Sequence, residues 1–208
     1  MKLYYLIESA NIEQAVEVGE TVFPKSILDR VMKKKGKARE RSALAYLLLR
    51  YCLKKEGKGE LFSQIKFTKL GKPYVEGIEF SLTHTKGMLA CAVSETPVGV
   101  DVERIRSVPP SAIKKFIDDE KIKLFLDSDN TDFLAIREWV IKEAWLKEMG
   151  TGVSRRLKTV VPSLISDNVW KIEGHKIAIF VEGEYVLGIA SKKAIPHKAT
   201  NVKLVDVI

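Results

Sequence analysis

The 208-residue chain is poor in the residues that build soft-metal centres and disulfide frameworks: it has two cysteines and three histidines. His84, His175 and His197 are too far apart to form a paired ligand motif, and neither cysteine lies near them, so a zinc site is excluded. Any metal must be held by oxygen. Cys52 and Cys91 both sit in apolar runs, LLLRYCL and MLACAV, where a reduced thiol serves as a small hydrophobe. Gly and Pro together make up only 13 + 7 = 20 residues, which argues against a low-complexity or collagen-like chain. No run of about 18 apolar residues occurs, so no membrane span is expected. The first residues, MKLYYLIESANIEQ, carry one Lys and a short apolar run broken by Glu8, unlike a signal peptide. A cytoplasmic protein is expected.

What the chain does have is an uneven positive charge. Residues 24–58 hold twelve Lys and Arg against Asp29, Glu40 and Glu56, a block of +9 within a total of 35 − 27 = +8. Such a block faces solvent or an anionic partner: nucleic acid, a phosphorylated small molecule or an acidic protein.

The element order reads twice as strand, helices, strands, which points to an α+β chain of two halves, 1–97 and 98–208. In the first half a strand over 3–7 precedes a helix opened by Pro24, an apolar helix over 38–55, and strands over 65–68, 73–75 with 80–83, and 88–94. In the second, a strand over 98–105 leads into helices over 111–126 and 131–149. Strands near 158–161, 169–173, 176–181, 184–191 and 202–207 complete the pattern.

Three stretches carry chemistry. In Val98-Gly-Val-Asp-Val-Glu103, strand alternation puts Gly99, Asp101 and Glu103 on one face and the valines on the other. Two carboxylates roughly 7 Å apart on a sheltered face repel each other unless a cation is present, and oxygen donors with room for water suit Mg²⁺. The plain alternative is a solvated acidic strand edge. In Arg137-Glu-Trp-Val-Ile-Lys-Glu-Ala-Trp-Leu-Lys147, Glu143 and Lys147 share a helix face with Ile136, Trp139 and Val140, while Leu134, Ile141 and Trp145 form a second apolar stripe. A carboxylate beside Trp is partly desolvated and drifts towards the range of a general base, whereas a nearby metal pulls it down. The plain alternative here is a surface Glu-Lys pair. In Phe80-Ser-Leu-Thr-His84-Thr-Lys-Gly87, hydroxyls, an imidazole and a glycine turn supply donors for an anion.

Taken in order, T-K-L-G-K-P (68–73), S-L-T-H-T (81–85), G-V-D-V-E (99–103) and W-V-I-K-E-A-W-L-K (139–147) resemble the motif set of 4′-phosphopantetheinyl transferases of the surfactin-synthetase-activating type, over roughly residues 38–153. The resemblance implies two similar α+β halves in a pseudo-twofold arrangement with the active site between them. It implies Mg²⁺-dependent transfer of the phosphopantetheine arm of coenzyme A to a serine of an apo acyl or peptidyl carrier protein, with release of adenosine 3′,5′-bisphosphate. On the matching positions it implies Asp101, Glu103 and Glu143 as Mg²⁺ ligands, and Glu143 also as base for the carrier serine. Lys147 would neutralise charge on the leaving side. Thr83 and His84 would bind phosphates, Arg41 and Lys72 the 3′-phosphate, and Lys72-Pro73 would border the adenine. Thr83 stands where the family often has Ser and keeps the hydroxyl, and Gly150 and Gly152 match the run after the helix. Lys25, Arg30, Lys33, Lys34 and Lys35 align poorly and are assigned no site. The implied molecule is a monomer whose partners are coenzyme A and a carrier protein.

Two rival readings exist. A Mg²⁺-dependent diphosphate hydrolase would share the carboxylates and lysines but need no carrier. A nucleic-acid-binding module would use the basic block, but Tyr46 and Tyr51 lie within an apolar helix instead of on a stacking platform, and no RNA- or DNA-reading motif is present. Neither nucleic acid nor membrane is therefore expected among the partners.

Overall fold

The computed structural model describes residues 1–8, 12–69, 71–151 and 157–208. The chain is α+β and divides into two compact units: residues 1–96 with 199–208, and residues 97–198.

The first unit begins with strand β1 (Lys2–Ile7), followed by helices α1 (Gln14–Val22), α2 (Lys25–Met32) and α3 (Gly36–Lys55). Helix α1 went unread in the sequence because no side chain caps its N-terminus and Gly19 interrupts it. Helix α3 is buried without a break from Ser42 to Leu49, as an apolar run longer than a single stripe requires. Its Leu44, Leu48 and Cys52 share a core cluster with Tyr4 and Leu6 of β1. A 3-10 turn (Gly59–Gln64) leads to the short strands β2 (Lys66–Phe67) and β3 (Pro73–Tyr74), then β4 (Glu79–Thr85) and β5 (Met88–Ser94).

The second unit opens with β6 (Gly99–Arg104) and the short helices α4 (Pro110–Ile113) and α5 (Ile122–Leu126), two pieces where one stretch of helix was expected over 111–126. The long helix α6 (Thr131–Met149) follows, and then β7 (Ser163–Ser166), β8 (Val169–Ile172), β9 (His175–Glu182) and β10 (Tyr185–Ser191). The strand expected at 158–161 forms instead after Pro162, because proline lacks the N–H that a ladder needs. The sheet runs β6-β10-β9-β8-β7, so β6 is an edge strand, hydrogen-bonded antiparallel to β10 with Asp101 opposite Gly188.

The last residues return to the first unit. Strand β11 (Ala199–Asn201) adds in parallel to β1, giving the sheet order β11-β1-β5-β4, and helix α7 (Leu204–Val207) replaces the strand expected over 202–207. Leu204, Val207 and Ile208, spaced i, i+3 and i+4, pack on the core of the first unit from one helical face, whereas the alternation of Val202 and Leu204 by itself reads as a strand.

Helix α6 lies directly on the sheet of the second unit, and glycine permits the approach. A Cβ at Gly99 would overlap the backbone of Ala144 and Glu148, and one at Gly188 would press on Val140. Gly99 is thus the packing residue of the motif in which it stands. Gly99→Ala is expected to lower the unfolding free energy by about 3 kcal/mol, because the obstacle is backbone that has no alternative rotamer. Denaturant-induced unfolding of the variant against the parent chain checks this.

Candidate active site

The contact between β6 and α6 gathers the acidic residues. Asp101, buried on the strand face turned towards α6, accepts a hydrogen bond from Lys147 Nζ at 2.6 Å. The aspartate side chain is 7% exposed and the lysine 31%, so the pair sits at the rim of the interior. Glu103, two residues on, is half-buried and receives Arg106 Nη1 at 3.1 Å. Glu143 projects from α6 and is buried. Burial pushes the Glu143 carboxyl up from its ordinary range; the charges of Asp101 and Glu103 add to the rise, and Lys147 opposes it. Both plain alternatives fail here: Asp101 is no solvated edge, and Lys147 pairs with Asp101 across the packing.

Glu143 Oε1 is buried with no hydrogen-bond partner among the described residues. A buried acceptor left so costs free energy unless a cation or donor reaches it. The oxygen set of Asp101, Glu103 and Glu143 has the chemistry of a hard divalent cation site. Among the described residues no three His, Cys, Asp or Glu side chains are placed so that they could hold a metal ion, and the Lys147 ammonium is the cation that meets Asp101.

Structural residues lock this end of α6. Lys142, 1% exposed, donates to the carbonyls of Phe116 at 2.6 Å and Leu157 at 2.8 Å and pairs with Glu138 at 3.0 Å. Burial pulls its ammonium down, and Glu138 counters that. Glu148 accepts the backbone N–H of Lys192 at 2.7 Å and bonds His175 Nδ1 at 2.8 Å. Gly150, at φ +69°, ends the helix in the left-handed conformation, its N–H turned back to Leu146 and Lys147. Gly152 lies outside the described residues. Beside Glu103 a cavity of about 300 Å³ is lined by Phe116, Ile136 and Trp139, with Arg106 and Lys115.

The other candidates lie in the first unit. Arg41 on α3 donates through Nε to Glu8 at 2.6 Å. Strand β4 continues to Thr85, so Thr83 and His84 alternate onto opposite faces: Thr83 is buried and His84 exposed. Lys72 and Pro73 line a cavity of about 580 Å³ together with Thr68, Tyr74 and Phe80. The turn before them is tied by Thr68, whose N–H donates to the Lys72 carbonyl and whose hydroxyl receives the Lys72 N–H; Leu70 within it is outside the described residues. Arg30 holds the same turn, donating to the Gly71 carbonyl at 2.9 Å while its guanidinium lies over the Phe67 ring.

Sequence reasoning missed three residues that shape these sites, Glu8, Lys142 and Glu148, and left a fourth, Arg30, without a site. Only Lys142 left a trace, as a lysine between apolar neighbours in a helix packed on two sides. The others act on backbone or side chains 27 to 79 residues away, a separation that leaves no local pattern.

Comparison with known proteins agrees with the motif resemblance. Residues 97–190 match the family model of the 4′-phosphopantetheinyl transferase superfamily. The chain is 35% identical over 86 residues to the 4′-phosphopantetheinyl transferase gsp of Aneurinibacillus migulanus, covering 40% of this chain and 36% of that protein. It is 27% identical over 119 residues to the transferase Sfp of Bacillus subtilis (strain 168), covering 53% of each. It is 30% identical over 105 residues to HetI of Nostoc sp., covering 44% of each. The aligned region thus spans about a third to a half of these relatives' length. The holo-[acyl-carrier-protein] synthase of Thermotoga maritima superposes over 46% of this chain and 61% of its own at TM-score 0.38 and 19% identity, an overlap that decides nothing about chemistry. The chain is similar to transferases of the surfactin-activating type.

Within the matched region the two lysines of the motif differ in kind: Lys142 is walled in and Lys147 reaches the acidic cluster. Lys142→Met is expected to cost about 3 kcal/mol of stability, since Glu138 and two carbonyls lose their buried donor. Equilibrium unfolding of the variant measures that loss.

Proposed function

We propose that this chain transfers the 4′-phosphopantetheine moiety of coenzyme A to a serine hydroxyl of an apo acyl or peptidyl carrier protein in a Mg²⁺-dependent reaction, releasing adenosine 3′,5′-bisphosphate. The observation that carries this reading is the buried Glu143 carboxylate, one oxygen unsatisfied, flanked by Asp101, Glu103 and Lys147 at the centre of the matched region.

In this reaction the serine oxygen forms a bond to the phosphorus that bears the pantetheine arm. The bond from that phosphorus to the bridging oxygen of the diphosphate breaks, and the electron pair leaves with adenosine 3′,5′-bisphosphate. Glu143 takes the serine proton, directly or through a water. Lys147 offsets the charge that grows on the leaving side, a task its position against Asp101 keeps it near. Asp101, Glu103 and Glu143 would hold Mg²⁺, which when bound supplies positive charge to the diphosphate oxygens. Arg41, Lys72, Thr83 and His84 are assigned to the phosphates of coenzyme A, with Lys72-Pro73 at the edge of the adenine. The cavity beside Lys72 and Pro73 supports that last assignment.

Cellular placement follows the chemistry. Free, buried Cys52 and Cys91 support a reducing compartment, and among the described residues no helix is long and apolar enough to cross a membrane. A cytoplasmic monomer completes the proposal.

Intact-mass spectrometry of an apo carrier protein incubated with this protein, coenzyme A and Mg²⁺ tests the reading, with an EDTA control and a panel of carriers. A Mg²⁺-dependent gain of one phosphopantetheine on the carrier is expected, and Asp101→Ala is expected to abolish it while the chain stays folded. Cleavage of coenzyme A with no carrier present, and no gain on any carrier, would favour the diphosphate hydrolase instead. Lys147→Ala is expected to lower kcat more than it raises KM for coenzyme A; a pure KM effect would reassign it to binding.

A further inference from the structure

Glu8, at the end of β1, joins three segments of the first unit. Its carboxylate accepts Arg41 Nε at 2.6 Å through one oxygen and the Gly87 N–H at 3.1 Å through the other. Its own N–H donates to the Gly87 carbonyl at 2.9 Å. One residue thus fixes the start of α3 to the turn between β4 and β5, three positions beyond His84. Its side chain is only 10% exposed, and that of Arg41 21%, so the pair is held inside the fold instead of flickering on its surface.

A carboxylate is the wrong charge to place against an arginine whose task is to attract phosphate, because it cancels much of the long-range pull. It is the right group to fix the guanidinium plane. Bonding at Nε leaves the two terminal nitrogens outside this contact, and a planar fork held by one edge presents the other edge in a defined direction. We propose that Glu8 is a positioning residue for recognition of the phosphorylated donor: held in place by the Gly87 N–H, it trades raw attraction for geometry by orienting Arg41. The inference rests on the reading of coenzyme A as donor and adds to it a residue outside the motif set.

Calorimetric titration of coenzyme A into the intact chain, Glu8→Gln, Arg41→Ala and the double variant tests it, with thermal melting of each to verify folding. Glu8→Gln is expected to weaken binding roughly tenfold, the scale of one charge-assisted hydrogen bond, and to have no further effect once Arg41 is Ala. Unchanged or tighter binding in Glu8→Gln would overturn the proposal, because a carboxylate acting only through its charge would repel the ligand. The same loss in the Arg41→Ala background would also overturn it, by showing a general structural role. Should Glu8→Gln not fold, Arg41→Lys keeps the charge but loses Nε, and wild-type affinity there would equally overturn it. Absence of coenzyme A binding in the parent chain would bring down the donor reading itself, a result distinct from all of these.

Discussion

The close approach of β6 to α6 is the constraint on which the candidate active site depends. With no side chain at Gly99, the strand lies against the backbone of Ala144 and Glu148, and only at that distance does Asp101 reach Lys147 from the neighbouring element. The same contact leaves Glu143 inside the packing and near two other carboxylates, so its raised proton affinity is a consequence of how the elements meet. Three acids and one ammonium in one place are costly to assemble, and the fold offsets that cost with the apolar faces of α6 and β10 around them.

Around this cluster, paired polar groups hold the helix in place. Lys142 and Glu148 are buried ions, each satisfied by backbone groups from separate segments, and neither faces the acidic cluster as a member of it. In the first unit Glu8 and Arg30 play the same part, a charged group fixing a turn through a glycine carbonyl or N–H. In each case the ion orders a turn or helix end that carries a candidate functional residue.

Much of this was legible in the sequence, for definable reasons. The alternation of Val98, Val100 and Val102 with Gly99, Asp101 and Glu103 predicts which side chains share a face, and the structure turns Gly99 and Asp101 together towards α6. The apolar run of α3 and the double stripe of α6 announced buried helices. Less legible were short pieces whose periodicity is ambiguous, such as residues 202–207, and α1, which lacks capping signals. The placement of Thr83 and His84 on opposite faces depended on how far β4 extends before its turn, which the glycine at 87 alone does not fix. The pairing of Arg41 with Glu8, thirty-three residues apart, is a tertiary fact with no local signature.

The central claim is that Asp101, Glu103 and Glu143 form one divalent-cation site in the presence of the diphosphate ligand. Titration of Mn²⁺ as a paramagnetic stand-in for Mg²⁺, followed by electron paramagnetic resonance with coenzyme A present, tests it most directly. About one Mn²⁺ bound per chain, lost in both Asp101→Asn and Glu143→Gln while both variants stay folded, is the predicted result. Mn²⁺ binding that is absent from the parent chain, or unchanged in the two variants, would contradict the account.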